Sequence, residues 1–274
     1  MFNFENKTAL IIGAGQNIGR AIALEFARRG AKLAIADLNA HGAEETAALI
    51  RAANGRATGI ACDVSNEASI AAAVTAAEQF LGSIDIHMNN AGIIHSGNVE
   101  DFPPAEWERM FGINFFGAVR ANAAVLPKMI ARKSGYIVNT ASFAGLYPYA
   151  TNRTPYAAAK AALISMSQNM AIQLLPLGIR VSCLCPGPTM TTSTHNMKPW
   201  SANVVMRGPG ADLAVKSQEE VANILADAME AEKILIPTHE KGWETMRAYA
   251  ESPDDFIRAK ITDFAAGRPG LPGR

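Results

Sequence analysis

Residues 7–30 read KTALIIGAGQNIGRAIALEFARRG, and this stretch decides the fold. Lys7 to Ile12 is a short apolar run that ends in Gly13, and an alanine-rich amphipathic segment follows from Ile18 to Arg29. An apolar run, a glycine turn and an amphipathic segment predict a strand, a turn and a helix. Glycines let the backbone of such a turn approach a pyrophosphate, and the N–H groups that begin the helix favour its negative charge. The stretch therefore predicts dinucleotide binding.

The alternation of strands and helices continues along the chain. Apolar strands are predicted at 7–12, 32–36, 57–62, 84–88, 135–140, 179–184 and 234–236. Helices are predicted at 18–29, 41–53, 67–80, 104–132, 155–175 and 219–231, with one or two more from 243 to 265, broken at Ser252-Pro253. Strands that are apolar throughout and separated by helices indicate a parallel sheet with helices on both faces. We therefore expect an α/β fold, a single doubly wound Rossmann-type domain over residues 1–274.

The composition narrows the classes of partner. Lys plus Arg and Asp plus Glu each number 25, so the formal net charge is zero, and 49% of the 274 residues are hydrophobic. This balance gives no basis for binding nucleic acid or an anionic membrane. The N-terminus has no basic leader region, and no apolar run approaches the ~18 residues that span a bilayer. We therefore expect a cytoplasmic protein with a small-molecule substrate.

The cysteines and histidines give no sign of a metal or a disulfide. Cys62, Cys183 and Cys185 lack a repeated C-x-x-C spacing, and the histidines have no spacing that suggests a metal site. Cys183 and Cys185 are two residues apart in a predicted strand, so they point to the same side and are expected to pack as small hydrophobes. No metal is expected.

Polar residues and turn residues follow the predicted strands, where doubly wound sheets bind their ligands. They are Gly13, Asp37, Asp63, Asn89, Ser142 and Pro186. Asp37 would accept hydrogen bonds from the adenosine ribose hydroxyls and repel a 2′-phosphate, which favours NAD over NADP. No lysine or arginine lies in the glycine turn before Arg20, which favours the same cofactor. The alternative is that Asp37 only caps the turn into the next helix.

Tyr156 and Lys160 lie four residues apart at the start of an alanine-rich helical pattern, so the phenol and the ammonium share one helix face. A tyrosine titrates near ~10, and a fixed positive charge nearby lowers that pKa towards the working pH. We expect Lys160 to have this effect and Tyr156 to exchange a proton with a substrate. Taken alone, the same pair also fits two surface residues of an ordinary helix.

From Lys7 to about Thr191 the chain resembles the short-chain dehydrogenase/reductases of the single-domain type, whose motifs recur here in order. The matching motifs are the glycine turn, Asp63-Val64, Asn89-Asn90-Ala91-Gly92, Asn114, Ser142, Tyr156 with Lys160, and Pro186-Gly187-x-x-x-Thr191. The resemblance implies that Asp63 and Val64 hold the adenine, that Asn90 contacts the adenine-side ribose, and that Lys160 also bonds the nicotinamide ribose. It implies that Thr191 and the backbone before it contact the carboxamide.

With the glycine turn and Asp37, these motifs complete the predicted cofactor-binding set. It comprises Gly13, Gln16, Asn17, Ile18, Asp37, Leu38, Asp63, Val64, Asn90, Ala91, Gly92, Tyr156, Lys160, Pro186, Gly187, Thr189 and Thr191. The resemblance also predicts the catalytic residues. Tyr156 is the acid or base, Lys160 lowers its pKa, Ser142 hydrogen-bonds the substrate oxygen, and Asn114 holds a water that links Lys160 to solvent.

Three features depart from the family pattern. Asn17 replaces the middle glycine of the turn and Ile12 replaces a threonine; asparagine tolerates left-handed backbone angles, so phosphate binding should survive. Ser142 and Tyr156 are 14 residues apart, one more than usual, which should change the pocket more than their own geometry. After 238 the chain has helices and a Pro-Gly-rich tail in place of a glycine-rich strand, so oligomer geometry does not carry over directly.

The loops that would form the substrate pocket are apolar and partly aromatic. Candidate substrate contacts are His95, Tyr149, Met190 and Trp200, and Phe143, Leu146, Tyr147, His195 and Met197 lie on the same loops. For each of them, loop packing is an equal alternative to ligand contact. Residues 188–215 are predicted to form a mobile lid, 238–274 a C-terminal extension, and 267–274 an arm onto a neighbouring subunit.

These expectations describe an NAD(H)-dependent dehydrogenase or ketone reductase for a medium-sized, hydrophobic, aromatic or alicyclic secondary alcohol. The alternatives are an NADPH-dependent carbonyl reductase of the same fold and a dinucleotide sensor without turnover. The resemblance also implies a homotetramer or dimer, in which the helices over 104–132 and 155–175 pair across a two-fold interface. The alanines on these helices could equally pack against the chain's own sheet.

Overall fold

A seven-stranded parallel sheet forms the centre of the protein, seen in a computed structural model that describes residues 2–147, 150–192, 197–202, 204, 208 and 213–267. The strands are β1 (Thr8–Ile12), β2 (Lys32–Asp37), β3 (Ala57–Ala61), β4 (Ile86–Asn89), β5 (Gly135–Thr140), β6 (Ile179–Cys185) and β7 (Leu235–Pro237). Their order across the sheet is β3-β2-β1-β4-β5-β6-β7. The strand order reverses direction between β1 and β4, which opens the crevice where doubly wound sheets bind ligands.

Ten helices are found in the described residues. They are α1 (Asn17–Arg28), α2 (Ala40–Ala52), α3 (Glu67–Leu81), α4 (Pro104–Asn114), α5 (Phe116–Ala131), α6 (Phe143–Leu146), α7 (Thr154–Leu174), α8 (Gln218–Glu230), α9 (Lys241–Glu251) and α10 (Pro253–Ala265). Buried residues of α1, α2 and α8 form a core with one face of the sheet, and those of α3, α5 and α7 form a core with the other. The predicted doubly wound α/β fold is therefore confirmed.

The predicted single helix over 104–132 is wrong, because the chain breaks at Phe115, whose φ of −121° and ψ of −62° separate α4 from α5. The cause lies in Asn114. Its side-chain amide donates to the carbonyl of Met110 one turn earlier and to the carbonyl of Ile93, each over 3.0 Å. An asparagine side chain that competes for backbone groups disfavours a continuous helix, and here it ends α4 at the sheet's carboxyl edge.

A chain of buried polar side chains runs through the middle of the sheet. Asn89 donates from Nδ2 to the side-chain oxygens of Asn122 and Asn139, over 2.8 and 2.9 Å. Its Oδ1 lies 3.1 Å from His87 Nε2, so Nε2 carries the proton and His87 Nδ1 is left buried without a partner. Burial lowers the pKa of His87 to about 4, so the imidazole is neutral in the folded protein.

The segment beyond residue 202 completes the sheet and one of its cores. β7 pairs in parallel with β6, and Val221, Leu225 and Met229 of α8 join the core cluster that contains α1. Arg29, just after α1, ties the two helices together through Glu25, Asp227 and Glu230. The predicted break at Ser252-Pro253 falls between α9 and α10 as expected.

The described residues contain neither a membrane-spanning helix nor a metal-binding cluster. No helix among them is long and apolar enough to cross a bilayer. No cluster of three histidine, cysteine or acidic side chains that could hold a metal ion occurs in this part of the chain. All three cysteines are free and buried, and Cys183 and Cys185 pack in one apolar cluster, as predicted.

Candidate active site

The glycine turn after β1 interlocks with the turn after β4. Gly13 has a φ of 86°, and a Cβ built on it would lie 2.4 Å from the backbone nitrogen of Ala91, so no larger residue fits here. The Asn90 side chain donates from Nδ2 to the carbonyl of Gly13 over 2.7 Å. The predicted residues Gly13, Asn90, Ala91 and Gly92 are therefore brought to the crevice between β1 and β4.

The first turn of α1 has the properties of an anion site. Its N-cap residue, the exposed Gln16, makes no side-chain capping bond, so the first N–H groups of the helix have no cap from this residue. Asn17 has a φ of 51°, the left-handed angle expected where the family has glycine. Thr192 donates to Asn17 Oδ1 from both its backbone nitrogen and its hydroxyl, over 3.0 Å each, which connects the predicted lid to this turn.

Asp37 closes the second strand beside this turn. Its Oδ2 accepts a 2.8 Å hydrogen bond from the backbone N–H of Gly15, and its Oδ1 accepts one from the N–H of Asn39. The cap of α2 is the Asn39 side chain, which accepts from Gly42. Asp37 therefore does more than cap the turn into the next helix, because its carboxylate also bonds the glycine turn. Leu38, 75% exposed, follows it.

Asp63 and Val64, which follow β3, already have partners within the protein. Asp63 accepts from both the backbone N–H and the hydroxyl of Ser65, and these bonds hold the pKa of its carboxyl below the usual range. Val64 is buried against Gly117. Both Ser65 bonds go to Asp63 Oδ1, so Oδ2 is the oxygen left for the predicted adenine contact.

The Ser142 hydroxyl lies within hydrogen-bonding reach of the Tyr156 phenol and acts to lower its pKa. Ser142 follows β5, and its hydroxyl also accepts from the backbone N–H of Ala144, because it caps the short helix α6. Tyr156 lies in the first turn of α7, behind a proline that suits a helix start. The one additional residue between Ser142 and Tyr156 does not keep their side chains apart.

Tyr156 is half-buried, and the loss of water around its phenol reverses the expected direction of its pKa. Burial raises the pKa of Tyr156, while the Ser142 hydrogen bond and the charge of Arg153 lower it. The prediction that Lys160 brings this pKa down is therefore corrected. The Lys160 Nζ lies 5.7 Å from the tyrosine ring centroid and donates to the carbonyl of Thr140 over 2.8 Å. The cation that opposes the effect of burial is Arg153.

Lys160 sits among Gly92, Asn114 and Thr140. A Cβ built on Gly92 would lie 3.4 Å from Lys160 Nζ and 2.7 Å from Asn114 Oδ1, so these side chains share one corner of the site. Burial lowers the pKa of Lys160 to about 8. Asn114 is fixed by Ile93, because its Oδ1 accepts from the backbone N–H of that residue. A cavity of about 10 Å³, near the minimum for one water, touches Asn114.

The segment after β6 extends along the opposite wall of the crevice. Pro186 accepts at its carbonyl from the backbone N–H of Phe143. Gly187 donates its N–H to the Thr238 hydroxyl over 2.9 Å, and Thr189 donates to the carbonyl of Gly187. Thr189 also forms a bridge with Lys216, which pins both ends of the predicted lid to each other. Thr191 follows, half-buried.

The predicted pocket residues divide into core and surface. Phe143 and Tyr147 are buried in an apolar cluster with the cysteines of β6, so they pack the core rather than line an open pocket. His95 is buried, and its Nδ1 lies 2.6 Å from Glu106 Oε1. Met190 is 60% exposed. Leu146 and Met197 are half-buried, and Tyr149 and His195 lie outside the described residues.

One more predicted substrate contact is Trp200, which packs on Gly97 and on the Phe102 ring. Its indole Nε1 is buried and has no hydrogen-bond partner among the described residues.

Sequence reasoning missed Arg153, the N-cap residue of α7. Its Nε is buried without a partner, and its charge acts on Tyr156. The position three residues before the tyrosine was the available signal, since it places a cation one helical turn from the phenol.

Comparisons with known proteins agree with this arrangement. The sequence model described as short chain dehydrogenase matches residues 7–202. The 2-(S)-hydroxypropyl-CoM dehydrogenase 3 of Xanthobacter autotrophicus is 40% identical over 188 residues, which cover 69% of this chain and 73% of the relative. A 2,5-dichloro-2,5-cyclohexadiene-1,4-diol dehydrogenase of Sphingobium indicum is 37% identical over 193 residues, 70% of this chain and 77% of the relative.

Solved structures share the fold over most of the chain. A short chain dehydrogenase/reductase from Burkholderia phymatum in complex with NAD has a TM-score of 0.83 at 28% identity and covers 93% of this chain and 96% of its own. A 3-ketoacyl-(acyl-carrier-protein) reductase from Brucella melitensis complexed with NADH has a TM-score of 0.75 at 31% identity, with coverages of 85% and 97%.

Proposed function

The chain belongs to the short-chain dehydrogenase/reductase family, and we propose that it is an NAD(H)-dependent oxidoreductase that interconverts a secondary alcohol and its ketone. The observation that carries the proposal is the placement of Ser142, Tyr156 and Lys160 together at the sheet edge that also holds the glycine turn, with Lys160 Nζ 5.7 Å from the Tyr156 ring centroid and the Ser142 hydroxyl within reach of the phenol. A buried phenol paired with a hydroxyl is suited to exchanging a proton with an alcohol oxygen.

The proposed chemistry divides among three side chains. Ser142 hydrogen-bonds the substrate oxygen, and Tyr156 takes its proton in oxidation or returns it in reduction. Lys160, with its pKa lowered to about 8, is an ammonium at neutral pH that can pass a proton near the working pH. Because burial raises the pKa of Tyr156, the phenol holds its proton at neutral pH. Ketone reduction is therefore favoured near pH 7, and alcohol oxidation increases towards alkaline pH.

We propose NAD as the cofactor; when bound, it supplies the acceptor or donor of hydride. The uncapped start of α1 and the close glycine turn suit its pyrophosphate. The Asp37 carboxylate suits a ribose with free hydroxyls and opposes a 2′-phosphate. Arg20, the nearest cation in sequence, donates to the carbonyl of Gly15 and to Glu45. Its guanidinium is thus engaged by groups of the protein itself, which argues against a phosphate site there.

The substrate is proposed to be of medium size with an apolar body. Met190, Met197 and Trp200 follow the sheet edge that holds the site and supply apolar side chains there. Two relatives bear names of dehydrogenases for hydroxyl-bearing compounds, one of them a cyclohexadiene diol. These names support an alcohol of this general kind.

We also propose a homo-oligomer. Phe116 on α5 and Ile172 on α7 expose 47% and 78% of their surface, and Leu175 follows with 54%. Ala121 is buried in the chain's own core, whereas Ala123 and Ala161 are exposed. These apolar faces support pairing of α5 and α7 with a second copy, because exposed apolar patches of this kind mark interfaces.

The test of the activity is a panel of secondary alcohols and ketones, aliphatic, alicyclic, aryl and sugar, assayed at 340 nm with NAD(H) and with NADP(H). Turnover of apolar members with NAD(H) is the expected result. Turnover with NADP(H) alone would refute the proposed cofactor. No turnover across the panel, with NADH still bound, would refute the proposed reaction.

A further inference from the structure

Arg153 has a buried Nε that makes no hydrogen bond to any of the described residues. No carboxylate among the described residues lies within ion-pairing distance of its guanidinium. The other arginines with buried or partly buried guanidinium groups behave differently. Arg29 pairs with Glu25, Asp227 and Glu230. Arg180, whose Nε is also buried and unpartnered, still pairs with Glu232 over 2.8 Å.

The position of Arg153 makes the unpaired charge more costly. An arginine keeps its charge in a protein, and a buried charge without a partner is strongly unfavourable. Arg153 is also the N-cap of the 21-residue helix α7, and its side chain caps nothing. A cation at a helix N-terminus meets the positive end of the helix dipole. Burial accordingly lowers the pKa of Arg153, and an anion at this point would offset both effects.

Three loops form the surroundings of Arg153. Asn152, next to it, donates from its side chain to Asn98 and accepts at its carbonyl from the N–H of Gly97. Ser96 accepts at its carbonyl from the N–H of Trp200 over 2.7 Å. The segments 95–98, 150–153 and 198–201 are thus joined into one platform, defined here by these hydrogen bonds.

The platform carries two unsatisfied donors. They are Arg153 Nε and Trp200 Nε1, both buried without a partner. The platform adjoins the reacting group, because the Arg153 charge acts directly on the Tyr156 phenol. Unsatisfied buried donors beside a proton-transfer residue are the arrangement expected where a ligand supplies the acceptor atoms.

We propose that Arg153 binds a carboxylate of the substrate, with Trp200 Nε1 as a second donor on the same platform. This inference rests on the proposed function and narrows it, since the secondary alcohol or ketone is then a hydroxy acid or a keto acid. The planar guanidinium fork matches two carboxylate oxygens. The exposed side chain of Met190 would contact the carbon chain between the two polar ends.

The test compares acids with their neutral amides. The probes are 3-hydroxybutanoate, 4-hydroxypentanoate and 5-hydroxyhexanoate and the three matching primary amides, each assayed with NAD. For at least one chain length we expect kcat/KM for the acid to exceed that for the amide by about 100-fold. In Arg153→Gln we expect kcat/KM for the acid to fall at least tenfold more than kcat/KM for the amide, which should change only through the effect of the Arg153 charge on the Tyr156 pKa. Arg180→Gln, which removes a paired surface arginine, is the control and should keep the preference.

A second variant distinguishes the loss of carboxylate binding from a folding defect. Arg153→Lys keeps the charge but loses the fork, so it should retain a reduced acid preference. Equal kcat/KM for acid and amide in the wild type would overturn the inference, as would an equal loss for both in Arg153→Gln with native circular dichroism.

Turnover and thermal stability together distinguish a failure of this inference from a failure of the proposed function. If neutral alcohols turn over in a Tyr156-dependent way without any acid preference, the proposed function stands and the carboxylate site is refuted. If nothing turns over but 4-oxopentanoate with NADH raises the Tm of the wild type and not of Arg153→Gln, the carboxylate site stands and the reaction is refuted. If neither turnover nor a shift in Tm occurs, both are refuted.

Discussion

The Asp37 carboxylate accepts a hydrogen bond from the backbone N–H of Gly15 over 2.8 Å, so the end of β2 and the glycine turn are held together by the residue proposed to read the ribose. This single contact has two consequences for variants of Asp37. Removing the side chain loses both its charge and its support of the turn. Removing the charge alone leaves an oxygen that can still accept from Gly15.

Asp37→Asn should therefore relax the cofactor preference without collapsing the turn. We expect the ratio of kcat/KM for NADP to that for NAD to rise at least about tenfold, which corresponds to ~1.4 kcal/mol. Asp37→Ala should relax the same ratio and also weaken NAD binding. An unchanged ratio in both variants, measured by initial rates, would show that the ribose is read elsewhere.

Tyr156→Phe should remove turnover and leave NADH binding intact. The variant loses the proton that the proposed reaction moves and the bond to Ser142, and we expect kcat to fall by about 10²–10⁴-fold. Tyr136→Phe is the matched control, because its buried hydroxyl bonds Ser182 over 2.8 Å at a distance from the site. It should cost about 1 kcal/mol of stability and no activity. Retained turnover in Tyr156→Phe would eliminate this residue as the acid or base.

His87 should make the protein sensitive to acid. Its pKa is about 6.5 in the unfolded chain and about 4 in the folded protein, so below pH 6.5 the unfolded state binds the extra proton. Its contribution to stability is therefore lost as the pH falls from 6.5 towards 4, by up to about 3 kcal/mol. His87→Gln keeps a donor for Asn89 and does not titrate.

Urea unfolding at pH 7 and pH 5 measures the free energy of unfolding. Subtracting the change in the variant from the change in the wild type removes the contribution of carboxyl groups that titrate in the same range. His87→Gln should lose clearly less stability between the two pH values than the wild type. His41, an exposed residue, provides the control through His41→Gln, which should behave as the wild type does. Identical losses in all three proteins would contradict the prediction.

Gly19→Ala should abolish dinucleotide binding. A Cβ at this position would lie 2.1 Å from the carbonyl of Gly13, so the backbone of the turn must move to admit it. Gly112→Ala in α4 meets nothing within 4 Å and should be neutral or stabilise the protein by about 0.5–1 kcal/mol. NADH fluorescence titration distinguishes the two, and normal binding by Gly19→Ala would show that the turn is more plastic than its packing implies.

Ile172→Glu should weaken assembly. A charge on this exposed apolar position of α7 would oppose burial against a second copy, while the folded monomer should tolerate it, because the side chain is 78% exposed. Sedimentation velocity measures the outcome. A profile identical to the wild type would remove α7 from the proposed interface, and Ile261→Glu, on exposed α10, serves as the control.

The sheet could be predicted from sequence because its central strands, such as β1 and β4, are buried on both faces and so read as short apolar runs. The turn residues Gly13 and Asn17 followed from backbone conformation, which short-range sequence controls. The break between α4 and α5 could not be predicted in this way. It depends on Asn114 reaching Ile93, a contact across 21 positions of the chain that only the folded sheet creates.

Electrostatics of the site were the least predictable part. The spacing of Tyr156 and Lys160 indicated one helix face, but the direction of the tyrosine pKa depends on how deeply the fold buries the phenol. The partner of His95 was hidden as well, because Glu106 lies 11 positions away in α4 and becomes its neighbour only in the folded chain. Arg153 was visible in the sequence, yet only the absence of a described partner for its Nε distinguishes it from an ordinary surface arginine.

The ion pairs of Arg29 with Asp227 and Glu230 affect where the chain can be truncated and still fold. The match to the family's sequence model ends at residue 202, but α8 lies beyond that point and shields α1, the helix that begins at the glycine turn. The folded core therefore needs residues beyond the matched region. An expression fragment that stops at 202 would uncover Ile22 and Phe26 to solvent, and it should aggregate rather than bind dinucleotide.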